Sequence, residues 1–182
     1  MDDGLVRDIS PGLSQRGVRD HNERLLLSLI QRHGGMPAAD LSKRAGLSPP
    51  TVSSILRRLE AEGLVLKGEP VRGKVGKPST PMRLSADGAY SFGLKIGRRS
   101  AELVLMDFTG GLRHERQLNY NRPLPQDIFD FVATSIFDIK HELSQEQIAR
   151  ICGLGVGAAF ELWNWPDDAA QRRVEFADWQ QV

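Results

Sequence analysis

The chain has 182 residues with 40% hydrophobic residues, a single cysteine, and 24 Lys and Arg against 23 Asp and Glu. This length and apolar content suffice for one full domain or two small ones, whereas a single cysteine excludes a disulfide framework and any multi-cysteine metal site. No run of about 18 apolar residues occurs and the first residues are acidic, so we expect no membrane span, no signal peptide and a cytoplasmic location.

The net charge of +1 is the sum of two unequal parts of the chain. Residues 1–88 carry 14 basic and 10 acidic side chains, whereas residues 89–182 carry 10 basic and 13 acidic ones. The excess is concentrated in residues 41–83, which contain 9 basic and 3 acidic residues. Such asymmetry is typical of a module that binds a polyanion and is joined to a second, different part, although solvated helices are often basic too.

The first predicted element is a helix that follows a leader. Residues 1–19 show no clean hydrophobic period and are interpreted as flexible. Asp20 and Glu23 resemble a capping box, so the helix is predicted to begin at Asp20. Leucines and one isoleucine then recur at helical spacing until Gly34 and Gly35, where the helix is predicted to end.

Two further helices are predicted before the next break. A short one runs from about Pro37 to Ala45, and Gly46 ends it. A third is predicted over Ser48–Glu62, because Ser48 can cap a helix whose first position tolerates proline. Four apolar residues of this helix share one face: Val52, Ile55, Leu56 and Leu59.

A basic hairpin is predicted next. Leu64–Lys67 and Pro81–Ser85 are interpreted as paired strands, and residues 68–80 between them are rich in Gly, Pro and positive charge. Three helices with a tight turn between the second and third, followed by such a hairpin, form a winged helix-turn-helix pattern. We therefore predict a DNA-binding domain over residues 20–86.

The remainder of the chain, residues 87–182, has the pattern of an incomplete α/β domain. Three β-like runs are followed by an amphipathic helix and then by a buried strand that contains Cys152, which we expect to be a small buried residue rather than a nucleophile or ligand. These elements are predicted over Tyr90–Ile96, Ala101–Asp107, Leu112–Leu118, Gln126–Leu143 and Ile151–Gly157. The helical stripe comprises Ile128, Phe129, Val132, Ile136 and Ile139.

The candidate DNA-binding residues lie on the third helix and in the hairpin loop. The second helix of a helix-turn-helix lies in the major groove, and Gly-flanked basic residues can enter a narrow minor groove. The candidates are Ser48, Pro50, Thr51, Ser53, Ser54, Arg57 and Arg58 on the helix, and Arg72, Lys74 and Lys77 in the loop. The alternatives are a merely solvated basic face and a mobile loop that touches only phosphates. A phosphate-binding P-loop is excluded, because Pro78 stands where Ser or Thr is needed.

Several segments together resemble the regulator branch of the ROK family of bacterial repressors and sugar kinases: Val18–Leu27, Gly46–Ser53, Arg72–Gly73, Gly76–Ser79, Gly88–Tyr90 and Gly93–Gly110. The resemblance implies an α+β chain, with an N-terminal winged helix-turn-helix followed by the beginning of an α/β domain of the actin-like ATPase fold. It also implies homo-oligomers whose DNA affinity responds to a sugar or sugar phosphate.

One departure from the family bears on catalysis. ROK kinases open their second domain with an Asp-Ile-Gly-Gly-Thr type loop, where this chain has Lys95-Ile96-Gly97-Arg98-Arg99-Ser100. A lysine cannot organise Mg²⁺ as an aspartate does, so we expect no catalytic residues and no enzymatic activity. The family's catalytic Asp, sugar-binding Glu/His motif and zinc site would lie after residue 182, so no cofactor or metal site is expected in this truncated chain.

The sequence thus predicts a DNA-binding transcriptional repressor of ROK type, controlled by a carbohydrate effector in its full-length form. Its expected partners are double-stranded DNA, the effector if the missing part is present, and further copies of the chain, but no membrane. Two alternatives remain: a truncated fragment that has only the DNA-binding module, without regulation, and a sugar kinase of the same family.

Overall fold

The computed structural model describes residues 15–70 and 79–158. The chain divides into two compact units. One comprises the described residues up to Glu60 together with Leu66–Leu84, and the other comprises Ala61–Val65 and the described residues from Ser85 onward.

The first unit contains three helices, α1 (Gln15–His33), α2 (Ala38–Ala45) and α3 (Pro49–Ala61). Their core is formed by apolar side chains that recur at helical spacing. The buried residues include Leu26, Ile30, Leu41, Val52, Ile55, Leu56 and Leu59. The predicted stripe of α3 is therefore confirmed residue by residue.

The predicted start of α1 was wrong. The helix begins at Gln15, five residues before the expected cap at Asp20, and so residues 15–19 of the predicted leader are helical. Gln and Arg are good helix formers, and one glycine in this stretch is a small cost, so intrinsic propensity extends the helix past a residue that could have capped it. The rest of the predicted leader, residues 1–14, lies outside the described residues.

A two-stranded wing was predicted, but the sheet has three strands. β1 (Met36–Pro37) pairs antiparallel with β3 (Pro81–Leu84), and β2 (Val65–Lys67) flanks β3 on the other side. The expected assignment of Pro37 to the second helix was thus wrong, because Pro37 is extended and precedes α2 as its cap. Proline is tolerated in an edge strand, since no ladder bond needs its missing N–H.

The second unit is built on a four-stranded sheet with the order β6-β5-β4-β7. Its strands are β4 (Tyr90–Ile96), β5 (Ser100–Asp107), β6 (Leu112–Asn119) and β7 (Ile151–Ala158), and its helices are α4 (Pro125–Glu142) and α5 (Gln145–Ala149). The first three strands are antiparallel, and β7 runs parallel to β4. The α5 turn was not predicted; it is fixed by a capping box between Ser144 and Gln147.

Helix α4 packs against this sheet with four of the five residues of its predicted stripe, of which Val132 and Ile136 are partly buried. Ile128 and Ile139 are fully buried among β4 and β5 side chains, whereas Phe129 is 46% exposed. The residue that completes the buried face is Ser135, seven residues after Ile128 and therefore on the same side of the helix. Phe129 belongs to the predicted stripe because it is apolar, but its position on the helix turns its side chain toward solvent.

The prediction that β7 is buried was also wrong. Its residues from Cys152 onward are exposed, and the Cys152 thiol is an exposed free thiol. β7 lies at an edge of the sheet with only β4 beside it, and the described residues cover neither of its faces. A run of alternating glycine and apolar residues is compatible with an edge as well as with a buried strand, so the sequence pattern did not distinguish them.

Tyr120 fastens the turn between β4 and β5. Its hydroxyl lies 2.7 Å from the carbonyl oxygen of Gly97 and 2.8 Å from that of Ser100. Burial, together with the charge of Glu102, raises the pKa of Tyr120 to about 12. The stabilisation that the protonated hydroxyl provides is therefore complete below the ordinary pKa of 10.0 and is lost as the pH rises through about 12.

We expect Tyr120→Phe to lower the free energy of unfolding by about 1 kcal/mol at neutral pH, because the hydroxyl's bonds to the turn are lost. Urea unfolding of both forms measures this difference. In an ultraviolet titration, the phenolate step that is present in the parent and absent from the variant belongs to Tyr120. We expect the pKa of that step to be about 12. A step near 10 together with unchanged unfolding would show that the hydroxyl does not hold the turn.

Candidate nucleic-acid interface

The turn between α2 and α3 sets the direction of the candidate interface. Gly46 adopts the left-handed conformation that ends α2, with φ of 65°. The buried hydroxyl of Ser42 donates to the carbonyl oxygen of Leu47 at 2.5 Å, while the Leu47 amide donates back to the Ser42 carbonyl at 3.2 Å. These contacts fix the turn from inside, so α3 leaves it in one direction.

The first turn of α3 is held by two of the candidate residues. The hydroxyls of Ser48 and Thr51 lie 2.8 Å apart, and the Thr51 amide donates to the Ser48 hydroxyl at 3.4 Å. Ser48 therefore caps the helix as the sequence predicted. Both hydroxyls retain acceptor capacity for an incoming group, but their first role in the free protein is to order the start of the helix.

The two faces of α3 are clearly divided. The face opposite the buried apolar stripe presents Pro50, Thr51, Ser54 and Arg57, all of which are exposed, and Ser53 is partly exposed beside them. Small side chains at these positions allow a close approach to the helix backbone, and a single long basic side chain projects from among them. The structure therefore brings most of the α3 candidates together on one polar, exposed surface.

Arg57 and Arg58 have different environments, which the sequence did not separate. Arg57 is exposed, whereas the Arg58 guanidinium forms an ion pair with the carboxylate of Glu23 in α1. The Glu23 side chain is only 14% exposed. Arg58 thus links α3 to α1 through an ion pair. The nearby carboxylate partly neutralises the guanidinium, so Arg58 attracts a polyanion less strongly than the sequence suggested.

The last turn of α2 carries two further basic residues that were not among the candidates. Lys43 and Arg44 lie exposed in the last turn of α2, and together with His33 they line a surface pocket of about 540 Å³. Asp40 is the acidic residue of this pocket. The signal that could have identified Lys43 and Arg44 was the positive excess of residues 41–83, to which both contribute.

The three loop candidates, Arg72, Lys74 and Lys77, lie outside the described residues. The base of the hairpin is described: β2 and β3 are neighbours in the sheet, and the Gly68 amide donates to the Pro81 carbonyl at 2.8 Å. The strands that carry the loop are thus paired, and entry of the loop into a DNA groove stays a prediction.

In the second unit, residues 97–100, where the resemblance to ROK kinases would place a phosphate-binding loop, form a tight hairpin turn. The Gly97 amide donates to the Ser100 carbonyl at 2.8 Å, with Arg98 and Arg99 exposed between them. The Lys95 ammonium lies 3.3 Å from both carboxylate oxygens of Glu102 on the neighbouring strand. This cross-strand pair engages the lysine where those kinases place an acidic side chain.

The described residues contain neither a candidate metal cluster nor a helix that could span a membrane. Within residues 15–70 and 79–158, no group of three or more His, Cys, Asp and Glu side chains could hold a metal ion. Across the same residues, none of the helices has both the length and the apolar character needed to cross a membrane.

Comparison with known proteins gives this geometry a context. Residues 19–65 match a family model described as winged helix-turn-helix DNA-binding. The chain is 25% identical over 142 residues to the xylose repressor of Bacillus spizizenii, covering 78% of this chain and 37% of that protein. It is 25% identical over 152 residues to the DNA-binding transcriptional repressor Mlc of Escherichia coli, covering 81% of this chain and 37% of Mlc.

A solved structure extends the comparison to the fold. It is described as a ROK family transcriptional regulator and a homologue of the Mlc protein, and it superposes with a TM-score of 0.52 at 20% identity. The match covers 78% of this chain and 36% of that one, so the chain spans little more than a third of the relatives it matches. The chain is therefore similar in sequence to two bacterial transcriptional repressors and in fold to a ROK family regulator, and residues 19–65 match a winged helix-turn-helix model.

Proposed function

We propose that this chain binds double-stranded DNA through α3 and acts as a transcriptional repressor, rather than as an enzyme. The observation that carries the proposal is the polar face of α3, with exposed Arg57 among small side chains, on the second helix of a helix-turn-helix. We further propose that residues 20–86, with the helical residues that precede them, form the DNA-binding domain. Residues 87–182 are then the first part of a ROK domain.

Each candidate has a role in this proposal. The start of α3 enters the major groove, where Ser53 and Ser54 contact bases or phosphates and Arg57 reaches a guanine edge or a phosphate. Pro50 packs against the wall of the DNA major groove. The hydroxyls of Ser48 and Thr51, which are hydrogen-bonded to each other in the free protein, accept or donate hydrogen bonds to the DNA once it is present. Arg58 adds a weaker contact because Glu23 shares its charge, while Arg72, Lys74 and Lys77 reach the backbone or the minor groove.

Regulation is proposed for the longer protein of which this sequence would be the N-terminal part. One relative is a repressor named for xylose, which supports a sugar or sugar phosphate as effector. A homo-oligomer is proposed because helix-turn-helix proteins commonly read two half-sites with a symmetric dimer. A protein that represses a bacterial promoter works in the cytoplasm, where the chromosome lies.

A phosphotransferase function is disfavoured by one specific contact. Transfer of a phosphoryl group needs an acidic side chain that organises Mg²⁺ near the phosphates. At that position the chain has Lys95, which is paired with Glu102 across the hairpin. The relatives named above are repressors, in agreement with a non-catalytic role.

The proposal is tested with an operator selected from a random duplex library by the parent chain. We expect Arg57→Ala to weaken binding to that operator roughly tenfold, because an arginine contact to a base edge is worth about 1–3 kcal/mol. Fluorescence anisotropy with labelled duplex measures the affinity. Arg57 is exposed, so the variant should fold as the parent does.

The matched control is Lys140→Ala, which removes an exposed positive charge from α4 in the second unit. It should leave the affinity unchanged, which separates a contact of α3 from a general loss of charge. A library that yields no preferred duplex, or equal affinity of the Arg57 variant and the parent, would contradict the proposed role of α3.

A further inference from the structure

A groove that no predicted site includes lies between α1 and α3. Its volume is about 620 Å³. One wall comes from the start of α1 and the other from the first three turns of α3. The lining residues are Val18, Arg19, Asn22, Glu23, Pro50, Thr51, Ser54, Ile55 and Arg58.

The groove carries a net positive charge. Glu23 and Arg58 form an ion pair with each other, so their charges largely cancel. Arg19 is the third charged residue of the lining; it is exposed, and it forms no ion pair with any described residue. Its guanidinium is therefore the charge in the groove that an anion would find uncompensated.

The other polar side chains of the lining are hydrogen-bond donors of the kind that bind phosphate oxygens. Asn22 contributes an amide and Ser54 a hydroxyl, from opposite walls. The donors have to be side chains, because α3 begins with Pro49 and Pro50, which have no N–H to offer at the helix terminus. An arginine, an amide and a hydroxyl around one groove suit a singly charged phosphodiester.

The location of the groove decides which phosphate it would take. Ser54 and Pro50 belong both to the groove and to the exposed face of α3 that we place in the major groove. A helix of about 10–12 Å diameter fills a major groove about 12 Å wide, so the sugar-phosphate backbone runs along the flank of the helix. The α1–α3 groove occupies one such flank.

We propose that the α1–α3 groove seats a backbone phosphate of bound DNA and that Arg19 is its principal contact. This inference rests on the proposed function, since it places the phosphate relative to a DNA duplex held by α3. It extends the interface to a third element, α1, beyond the recognition helix and the hairpin loop.

The test uses Arg19→Gln in the full chain and a labelled duplex of arbitrary sequence, since a phosphate contact is independent of base sequence. Anisotropy titrations over a range of salt concentrations give the slope of log K against log[salt]. Each neutralised phosphate contributes about 0.9 to that slope. We expect Arg19→Gln to reduce the slope by about 0.9 and the affinity by roughly fivefold at physiological salt.

Arg24→Gln is the matched control. Arg24 lies on the same helix and is exposed, but it is not part of the groove lining. It follows Arg19 by five residues, which places it on nearly the opposite side of α1. It loses the same charge and should keep the parent's slope. The pair of variants therefore separates a seated phosphate from a general reduction of positive charge on α1.

Three outcomes would overturn the inference. Equal slopes for Arg19→Gln and the parent would leave DNA binding by α3 intact and remove α1 from the interface. Equal losses for Arg19→Gln and Arg24→Gln would show a diffuse charge effect and no seated phosphate. Absence of DNA binding by the parent chain, on this duplex and on a selected library, would overturn the inference and the proposed function together.

Discussion

Replacing Asp107 with alanine is expected to lower the free energy of unfolding of the second unit by about 3 kcal/mol. One oxygen of this buried carboxylate accepts from the amide and hydroxyl of Thr109 at 2.8 and 2.7 Å and from the Gly111 amide at 2.9 Å. The other accepts from the Arg113 guanidinium at 2.8 Å. Alanine leaves the donors of the β5–β6 turn without their common acceptor.

The same carboxylate makes stability depend on pH in a defined direction. Burial alone raises the pKa of Asp107, but the hydrogen bonds from Thr109 and Gly111 and the charge of Arg113 outweigh it and hold the pKa below the ordinary 3.8. The stabilisation is therefore present above the unfolded pKa and is lost as the pH falls through the folded pKa. The difference between parent and variant should shrink in acid.

Amide hydrogen exchange of β5 and β6 at neutral pH and in acid measures this prediction. Asp138→Ala, which removes an exposed carboxylate from α4, is the control and should leave exchange in these strands unchanged. If the Asp107 variant exchanged as slowly as the parent at neutral pH, the turn would not depend on the carboxylate.

Replacing Leu59 with alanine is expected to destabilise the first unit by about 3 kcal/mol. Leu59 is 1% exposed in the core between the helices, and truncation leaves a cavity that close-packed neighbours cannot fill. Exchange of the core amides of α1 and α3 should become roughly a hundredfold faster, since about 1.4 kcal/mol corresponds to a factor of ten. The apparent DNA affinity should fall under conditions in which a substantial fraction of the variant is unfolded, because only the folded unit binds.

Arg57→Ala provides the complementary control, because it changes the exposed face of the same helix two residues away. The two variants should separate two properties: Leu59→Ala changes exchange first and DNA affinity as a consequence, whereas Arg57→Ala changes affinity alone. Slow exchange in the Leu59 variant would mean that the core does not depend on this side chain.

Local patterns in the sequence predicted the elements that begin or end at a residue with a strong structural preference, such as a capping serine or a glycine. Gly46 fixed the end of α2, Ser48 the start of α3, and the alternation of Tyr90–Ile96 predicted β4 to the residue. One of the errors arose where two local rules compete. Asp20 could cap a helix, but the residues before it also favour one, so the helix continued to Gln15.

Interactions between distant residues were beyond such patterns. The pairing of Met36 with Met82 joins segments 46 residues apart, and a strand of two residues has no periodicity to detect. The pairing of Glu23 with Arg58 likewise depends on how α1 packs against α3. The sequence therefore identified the candidate surface of α3 but could not show which of its two adjacent arginines is engaged elsewhere.

The Glu23–Arg58 pair has a consequence for exchanging operator preference between related repressors. A graft that transplants the α3 sequence alone, with an uncharged residue at position 58, would leave Glu23 with 14% exposure and no counter-charge. That mismatch costs stability whatever operator the new helix prefers. Positions 23 and 58 consequently have to be transplanted together. The segment that has to be exchanged to change operator preference therefore includes parts of both α1 and α3.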